Sequence, residues 1–340
     1  MRILARHAAA LAALAAAQLP GTAQAADPRM ALNPDGSITV PSFVLPGSTY
    51  RSAEALAEQR ANLRPREPGA PYDRQGPRLA ATERRYPVKV SETVLGGVEV
   101  LVFEPRTGVA KKNARRVLIN LHGGGFVGGW PVNARLESVP IASVGGIKVV
   151  AVNYRKAPKH RFPAASEDIA SVYRALLKDY SPSQIGIYGC SAGGDLTSQA
   201  VAWIDHAKLP RPGAIAILSG STVKIGGDTF WMSAMLGGVL PSPPAGTDID
   251  VFIERISGGY VPRAENNNPL VWPSLSSDLL ARFPPTLLIN GSRSIDTSSM
   301  IQTHLDLTKA GVKTEMYLWD GLDHCFTYNS DLPESWEAYG

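Results

Sequence analysis

The chain has 340 residues, of which 44% are hydrophobic and 19% charged, and its formal net charge is +4. That length suits one large α/β domain with a substantial core, and the composition is that of a soluble globular protein. The basic run at residues 111–116 precedes a predicted strand and is expected to be a solvated loop, so no nucleic-acid partner is predicted.

Residues 1–25 have the pattern of a secretory signal peptide. A start containing Arg2 and Arg6 is followed by the Ala/Leu stretch Ala8–Leu19 and by small residues up to Ala25. The apolar stretch is too short to span a bilayer comfortably, so no stable membrane anchor is expected. We therefore expect cleavage near Ala25 and an exported protein, periplasmic or extracellular. Because two arginines leave with the peptide, the net charge of +4 falls to +2.

The rest of the chain, residues 26–340, predicts one domain with alternating strands and helices. Residues 27–85 are rich in Pro, Arg and Gly and predict an irregular arm with a weak helix near residues 52–60. Residues 86–104 alternate apolar and polar positions around two glycines, which predicts a β-hairpin. Further strands are predicted at 117–121, 147–153, 185–188, 215–219, 287–290 and 314–319, and helices at 134–144, 164–179, 195–208 and 298–310. This alternation predicts an α/β fold with a mostly parallel sheet covered on both faces, interrupted only at residues 221–275.

The pattern Gly-x-Ser-x-Gly occurs at Gly189–Gly193, between a predicted strand and a predicted helix. In that context it is typical of a nucleophile turn, whose strained backbone lifts the hydroxyl of Ser191 clear of the sheet. The helix that begins behind Ser191 also favours developing negative charge. The five residues alone fit an ordinary strand–helix turn equally well, so their interpretation depends on the rest of the chain.

Three consecutive glycines, Gly123–Gly125, follow His122 directly after the first buried strand. Successive glycines cost conformational entropy and are retained where the backbone must approach another group closely. In acyl transfer that group is the oxyanion of the tetrahedral intermediate, and one N–H donor aimed at it is worth about 3–4 kcal/mol. We therefore predict an oxyanion hole formed by Gly124, Gly125 and Ala192, with His122 bracing the loop.

A serine hydroxyl needs a general base. His324 lies just after the last predicted strand, at the edge of the sheet where ligands bind, and is the predicted base. The loop after the preceding strand supplies Asp296 as the acid, which gives the order Ser, Asp, His of the α/β-hydrolases. Asp296 alone would also fit a helix N-cap, and Asp320 and Asp323 are alternative acids on the histidine's own loop.

Together these motifs resemble the hormone-sensitive-lipase-like esterases of the α/β-hydrolase superfamily, over about residues 86–328. The resemblance implies an eight-stranded sheet, and a cap over the serine built from residues 27–85 and 221–275. It also implies carboxylesterase activity on a small ester, with no metal or other cofactor. The matching segments are His122–Phe126, Asn153–Ala165 with Asp168, Gly189–Gly194, Asp296 and Gly321–His324.

Two positions depart from the pattern of that family. Cys190 stands where many relatives carry Asp, and Ser294 stands where many carry the acid. The arrangement Cys-Ser, Asp, His-Cys resembles that of fungal tannases and feruloyl esterases, in which the two cysteines are bonded. This resemblance implies a disulfide between Cys190 and Cys325, which an exported protein would retain. Two buried thiols that pack as small apolar side chains are the alternative.

The sequence therefore predicts a serine carboxylester hydrolase with catalytic Ser191, His324 and Asp296, acting on short- to medium-chain acyl or aryl esters. A lactonase or an arylamidase stays open as an alternative, because acyl transfer uses the same site for all three. A non-catalytic ligand-binding homologue would be expected to lack a member of the triad. Candidates for an apolar substrate pocket, or alternatively for the core of the cap, are Phe126, Trp130, Trp231, Met232 and Met235.

Overall fold

A computed structural model describes residues 31–41, 44–63, 75–233, 235–236, 238, 240, 243–244 and 246–340. The predicted signal peptide and parts of both predicted cap segments lie outside these residues. The chain divides into two compact units, Met1–Pro46 and Gly47–Gly340. In the described part of the first unit, two short strands, β1 (Ala31–Leu32) and β2 (Ile38–Thr39), pair antiparallel.

The second unit is built on an eight-stranded sheet with the order β10-β9-β8-β7-β5-β6-β4-β3. The pairs β3–β4 and β4–β6 are antiparallel, whereas the remaining neighbours are parallel. This confirms the predicted mostly parallel sheet and the predicted hairpin. The strands are β3 (Val88–Leu95), β4 (Val98–Pro105), β5 (Val117–Leu121), β6 (Lys148–Val152), β7 (Ile185–Cys190), β8 (Ala214–Leu218), β9 (Thr286–Gly291) and β10 (Thr314–Trp319).

Helices cover both faces of this sheet, as strand β6 illustrates. Val149 and Ala151 belong to the core on one face, and Val150 and Val152 to the core on the other, because successive side chains of a strand point to opposite faces. The apolar run of β6 therefore reflects burial on both sides. The helices are α1 (Ala53–Leu63), α2 (Gln75–Arg85), α3 (Val132–Gly145), α4 (Ala164–Leu176), α5 (Ala192–His206), α6 (Asp228–Met232), α7 (Ile249–Ile256), α8 (Ser277–Leu280), α9 (Thr297–Lys309) and α10 (Pro333–Tyr339).

The N-terminal arm is more regular than predicted. Helix α1 confirms the helix predicted near residues 52–60, whereas helix α2 was not predicted. Within α2 only Thr82 is buried, so the helix lacks a strong apolar stripe. Its contacts explain its presence: Thr82 donates to the hydroxyl of Ser330 at 3.0 Å, and Arg85 donates to the Ser330 carbonyl at 2.9 Å. Tertiary contacts of this kind, rather than local propensity, stabilise most helices in proteins.

The strand register brings the four loops of the predicted site to one edge of the sheet. Leu121 at the end of β5 pairs with Gly189 of β7, and Trp319 at the end of β10 pairs with Gly291 of β9. The start of helix α5 lies so close to β5 that a Cβ atom on Gly193 would be 1.8 Å from the Leu121 carbonyl oxygen. Glycine is therefore required at that position, and the nucleophile turn lies directly beside the glycine loop that follows β5.

Candidate active site

Ser191 lies between the end of β7 and the start of α5, with φ 61° and ψ −129°. A positive φ is unusual for a residue with a side chain, and such strain is found at functional sites. The turn directs the Ser191 hydroxyl toward the loop after β10, where its Oγ lies 2.8 Å from Nε2 of His324. A nucleophile and a base at hydrogen-bond distance are the starting arrangement for proton transfer.

The other ring nitrogen of His324 faces Asp296 and Ser294. Nδ1 lies 3.4 Å from Oδ2 of Asp296 and 3.1 Å from the hydroxyl of Ser294. That hydroxyl also donates to Oδ1 of Asp296, and the same oxygen accepts from Nδ2 of Asn290 at 2.9 Å. The structure thus brings Ser191, His324 and Asp296 together, and it adds Ser294 between the histidine and the acid.

The alternative acids on the histidine loop have other hydrogen-bond partners. One carboxylate oxygen of Asp323 accepts from the backbone N–H of His324 at 2.7 Å. Asp320 accepts from the hydroxyls of Ser48 and Ser292. Among the described residues, neither of these carboxylates is at ion-pair distance from the His324 ring. The Asp296 carboxylate is at that distance. The geometry therefore favours Asp296 as the partner of the base.

Burial and charge act in opposite directions on the pair of His324 and Asp296. Burial lowers the pKa of His324, but the charge and hydrogen bond of Asp296 together with the charges of Asp323 and Asp195 outweigh it, so this pKa lies above its usual value. Burial raises the pKa of Asp296, but the charge and hydrogen bonds of its neighbours outweigh it, so this pKa lies below its usual value. The pair therefore favours an imidazolium beside a carboxylate, which is the charge state that forms when the histidine accepts a proton.

A disulfide joins the nucleophile turn to the histidine loop. The Sγ atoms of Cys190 and Cys325 are 2.02 Å apart, and the Cα atoms are 6.2 Å apart across a sequence separation of 135 residues. Cys190 directly precedes Ser191, and Cys325 directly follows His324. The bond therefore limits the distance between the two segments that carry Ser191 and His324.

The glycine loop after β5 lies against the same space as Ser191. Gly124 and Gly125 have φ values of 130° and 61°, which favour glycine, and both line a cavity together with Ala192. His122 is stacked on Tyr154 with ring centroids 4.4 Å apart, and burial lowers the pKa of its ring to about 3. A neutral histidine packed in this way can brace the loop, which is the role predicted for it.

The cavity at Ser191 has a volume of about 450 Å³ and a largely apolar wall. Phe126 lines it, as predicted, and stacks on Tyr260 with centroids 4.6 Å apart. Asp195 contributes a polar patch, and burial raises the pKa of its carboxyl to about 7. Most of the apolar wall comes from residues that were not predicted, namely Ile225, Phe252, Ile253, Ile256, Val261, Trp272 and Ile295.

The other four predicted pocket residues lie outside the lining of this cavity. Trp130 packs beside His122, with ring centroids 5.9 Å apart. Phe230 is the buried residue of helix α6, so its neighbours Trp231 and Met232 face outward and are 36% and 42% exposed. Met235 is 58% exposed. The aromatic and Met content of this segment was therefore misleading as a guide to the pocket.

A periodic signal could have identified part of the wall. Ile249, Phe252, Ile253 and Ile256 recur at the spacing of one helix face, and three of them line the cavity. Residues 221–275 were expected to interrupt the alternation of strands and helices, so no helix was predicted there.

The described residues contain no cluster of three or more His, Cys, Asp or Glu side chains that could hold a metal ion. They also contain no helix with the length and apolar character needed to cross a membrane.

Comparison with known proteins agrees with this geometry. A family model described as alpha/beta hydrolase fold matches residues 118–328. The chain is 28% identical over 231 residues to an acetyl-hydrolase from Streptomyces hygroscopicus. The match covers 66% of this chain and 72% of that relative. The crystal structure of esterase E25 has a TM-score of 0.72 at 25% identity, over 89% of this chain and 96% of that one. An esterase from the bacterial hormone-sensitive lipase family has a TM-score of 0.69 at 25% identity, over 84% and 93%.

Proposed function

The chain belongs to the α/β-hydrolase fold family and is a carboxylesterase of that family, and we propose that Ser191, His324 and Asp296 form its catalytic triad. The observation that carries this proposal is the 2.8 Å distance between Oγ of Ser191 and Nε2 of His324. Both atoms belong to residues that line the same cavity as the glycine loop. Nucleophile, base and oxyanion donors therefore face one space that a small ester can occupy.

The reaction follows from this arrangement in two halves. Ser191 attacks the ester carbonyl carbon while His324 takes its proton, and the N–H groups of Gly124, Gly125 and Ala192 receive the oxyanion. Collapse of the intermediate expels the alcohol, which takes the proton from His324, and leaves an acyl group on Ser191. Water then attacks the acyl carbon while His324 takes its proton, and His324 returns that proton to the Ser191 oxygen as the carboxylic acid leaves.

We propose that the substrates are esters with a short to medium acyl group or an aryl group. The apolar wall of the cavity suits hydrocarbon or aromatic parts of a substrate, and the volume of about 450 Å³ suits a small molecule. One of the relatives named above is an acetyl-hydrolase, which agrees with a small acyl group.

The triad is tested by hydrolysis of p-nitrophenyl acetate by the parent and by the variants Ser191→Ala and His324→Ala. We expect the turnover of both variants to fall by about 10⁴-fold or more, because removing either member disables the shared proton transfer. Ser91→Ala is a matched control, since Ser91 is exposed on strand β3. A Ser191→Ala variant that keeps a tenth or more of the parental turnover would refute the proposal.

We also propose a cap over the site, formed within the second unit by the part of the predicted arm that follows residue 46, up to residue 85, and by residues 221–275. Helix α2 contributes Arg78 to the lining of the cavity, and helix α7 contributes Phe252. Deuterium exchange of both segments should slow when a phosphonate ester analogue occupies the cavity. Unchanged exchange in either segment would exclude that segment from the cap.

We propose that the protein is exported and loses residues 1–25. Its leader pattern and the Cys190–Cys325 disulfide agree with an oxidising compartment. Mass spectrometry of the protein from a cell that recognises the leader should give an N-terminus at Ala26. A full-length protein retained in the cytoplasm would contradict this proposal.

A further inference from the structure

Glu137 on helix α3 is a buried carboxylate near the site with no part in the triad mechanism. Four groups, from three segments of the chain, donate hydrogen bonds to it. Its partners are Nδ2 of Asn120 at 2.8 Å, the N–H of Gly123 at 2.8 Å, the N–H of Cys190 at 3.2 Å and the hydroxyl of Tyr328 at 2.5 Å. A carboxylate that accepts four bonds fully uses the acceptor capacity of its ionised form.

Two of these donors are backbone groups of the catalytic loops. The N–H of Gly123 directly precedes the predicted oxyanion donor Gly124, and the N–H of Cys190 directly precedes Ser191. The two loops cross in contact here, because a Cβ atom on Gly123 would lie 2.7 Å from the Cys190 carbonyl oxygen and 3.2 Å from Cβ of Ser191. Glu137 thus binds both loops at the point where their separation is set.

The third protein segment at this carboxylate comes from beyond the base. Tyr328 lies four positions after His324 in the sequence, just past the disulfide at Cys325, and donates to the same oxygen of Glu137 as Gly123 does. The Glu137 side chain therefore connects the glycine loop, which carries the predicted oxyanion donors, with the nucleophile turn and with the segment that follows His324.

We propose that Glu137 is a positioning residue of the esterase. Its ionised carboxylate holds the oxyanion loop, Gly123–Gly125, at a fixed position relative to Ser191, and the loop loosens when the carboxylate takes up a proton. The inference rests on the proposed function, because it concerns the geometry of the triad and the oxyanion hole. Displacements of about 1 Å at such a site can lower turnover by about 10²-fold.

The chemistry of the four donors makes the network sensitive to a proton. The groups from Asn120, Gly123 and Cys190 are N–H donors, and none of them can accept a bond. A carboxylic acid at Glu137 can therefore place its proton only toward the Tyr328 hydroxyl, which must then reverse its own hydrogen bond. The alternative is the loss of one N–H bond, which releases one of the loops.

Glu137 is the group of this cluster that changes charge near neutrality. Burial raises its pKa to about 7, although the four hydrogen bonds act in the opposite direction. The phenols that face it, Tyr154, Tyr188 and Tyr328, have pKa values raised well above their usual range by burial. The ring of His122 on the adjoining loop has its pKa lowered to about 3 by burial, so it stays neutral.

The test measures kcat, KM and their pH dependence for the parent, Glu137→Gln and Glu137→Asp with p-nitrophenyl acetate. Gln keeps the volume but turns an NH₂ group toward one of the two backbone N–H donors, so we expect kcat to fall by about 10–10²-fold with KM unchanged. The acidic limb of the pH profile, where kcat falls as the pH is lowered, should also become less steep. The reason is that Gln cannot take up the proton that helps to inactivate the parent. Asp keeps the charge, so it should retain the steep limb with a lower kcat.

Tyr328→Phe supplies a second, independent measurement. Loss of the hydroxyl removes a bond that favours the carboxylate, so the acidic limb should move to higher pH. In a Glu137→Gln background the same change should leave the limb where it is. Asp195 is present in every variant, so its own titration cancels in the comparison.

Glu334→Gln is the matched control. Glu334 is also a buried carboxylate, which accepts from the backbone N–H of Ser52 at 2.7 Å and from its hydroxyl at 2.9 Å. Its change should alter stability and leave the pH profile unchanged.

The outcomes separate the inference from the proposed function. If Ser191→Ala abolishes activity while Glu137→Gln and Tyr328→Phe both match the parent, the positioning role is overturned and the triad stands. If Glu137→Gln does not fold, an unshifted limb in Tyr328→Phe alone overturns the role, and a shifted limb supports it. If Ser191→Ala keeps its activity, the proposed function fails and this role fails with it.

Discussion

The hydroxyl of Ser294 lies 3.1 Å from Nδ1 of His324, on the side of the ring that faces the Asp296 carboxylate. Position 294 is where many members of the resembled family carry the acid, and in this chain a serine connects the base to an acid two residues further on. The hydroxyl can accept from the Nδ1 proton while it donates to Asp296. Orientation of the histidine is therefore shared between a charged and a neutral group.

This arrangement predicts unequal effects for two variants. Asp296→Asn should lower turnover by up to about 10⁴-fold, because it removes the charge that stabilises the imidazolium and favours the wrong tautomer. It should also move the acidic limb to lower pH: the base must be neutral to act, and the charge of Asp296 holds the pKa of His324 above its usual value. Both effects are read from the pH dependence of kcat/KM.

Ser294→Ala provides the comparison for that variant. It leaves the charge in place, so its acidic limb should stay near the parental one and its turnover should fall far less. Near-parental turnover in Asp296→Asn would move the acid to Asp320 or Asp323, or show that no acid is needed.

The oxyanion loop should not tolerate a side chain at Gly124. A Cβ atom there would lie 2.4 Å from the Gly128 carbonyl oxygen, and the φ of 130° is itself unfavourable for alanine. Displacement of the loop should lower kcat for p-nitrophenyl acetate in Gly124→Ala by about 10²–10³-fold, the effect of losing one oxyanion donor. Gly97→Ala is the control, since Gly97 has a φ of 84° and no heavy atom within 4 Å of a Cβ. Equal kcat values for the two variants would exclude this role of the loop.

Removal of the disulfide should affect both stability and turnover. The bond closes a long segment between Cys190 and Cys325, so its loss should lower the free energy of unfolding by about 2–4 kcal/mol. Turnover should also fall, because the bond holds the base against the nucleophile turn. Urea denaturation and p-nitrophenyl acetate hydrolysis, each with and without reductant, measure the two effects. The double variant Cys190→Ala/Cys325→Ala is the control and should not respond to reductant; two free thiols in the unfolded, unreduced parent would contradict the bond.

The cavity predicts a preference for small acyl groups. A series of p-nitrophenyl esters from acetyl to palmitoyl should show the highest kcat/KM for short or medium chains, since a cavity of about 450 Å³ with a largely apolar wall suits a small ester. Measurement below the critical micelle concentration of each ester keeps substrate aggregation out of the comparison. Faster turnover of the palmitoyl than of the butyryl ester would show that long chains have another path out of the site.

Much of the fold followed from local patterns in the sequence. The buried strands β5, β7 and β9 have short apolar runs, and the positions of Ser191 and His324 follow from the rule that such sites lie after parallel strands. Helix α2 was not predicted, because hydrogen bonds to Ser330 stabilise it and it lacks the apolar stripe by which a helix is predicted. Trp231 faces outward because Phe230 is the buried residue of helix α6, and the composition of the segment does not show which of its aromatic residues is buried.

Glu137 shows the limit of such reasoning most clearly. A single glutamate in a helical stretch is typical of a solvated surface, and no spacing marks it as buried. Its four donors come from positions 120, 123, 190 and 328, and only the tertiary structure brings these segments to one point.

A covalent adduct with a fluorophosphonate tests most directly whether Ser191 is the nucleophile. The folded protein is treated with a fluorophosphonate, digested and analysed by mass spectrometry, alongside Ser191→Ala and the control Ser91→Ala. We expect one stoichiometric adduct on the peptide that contains Ser191, in the parent and the control, together with complete loss of esterase activity. An adduct on another residue, or inactivation of Ser191→Ala at the parental rate, would contradict it.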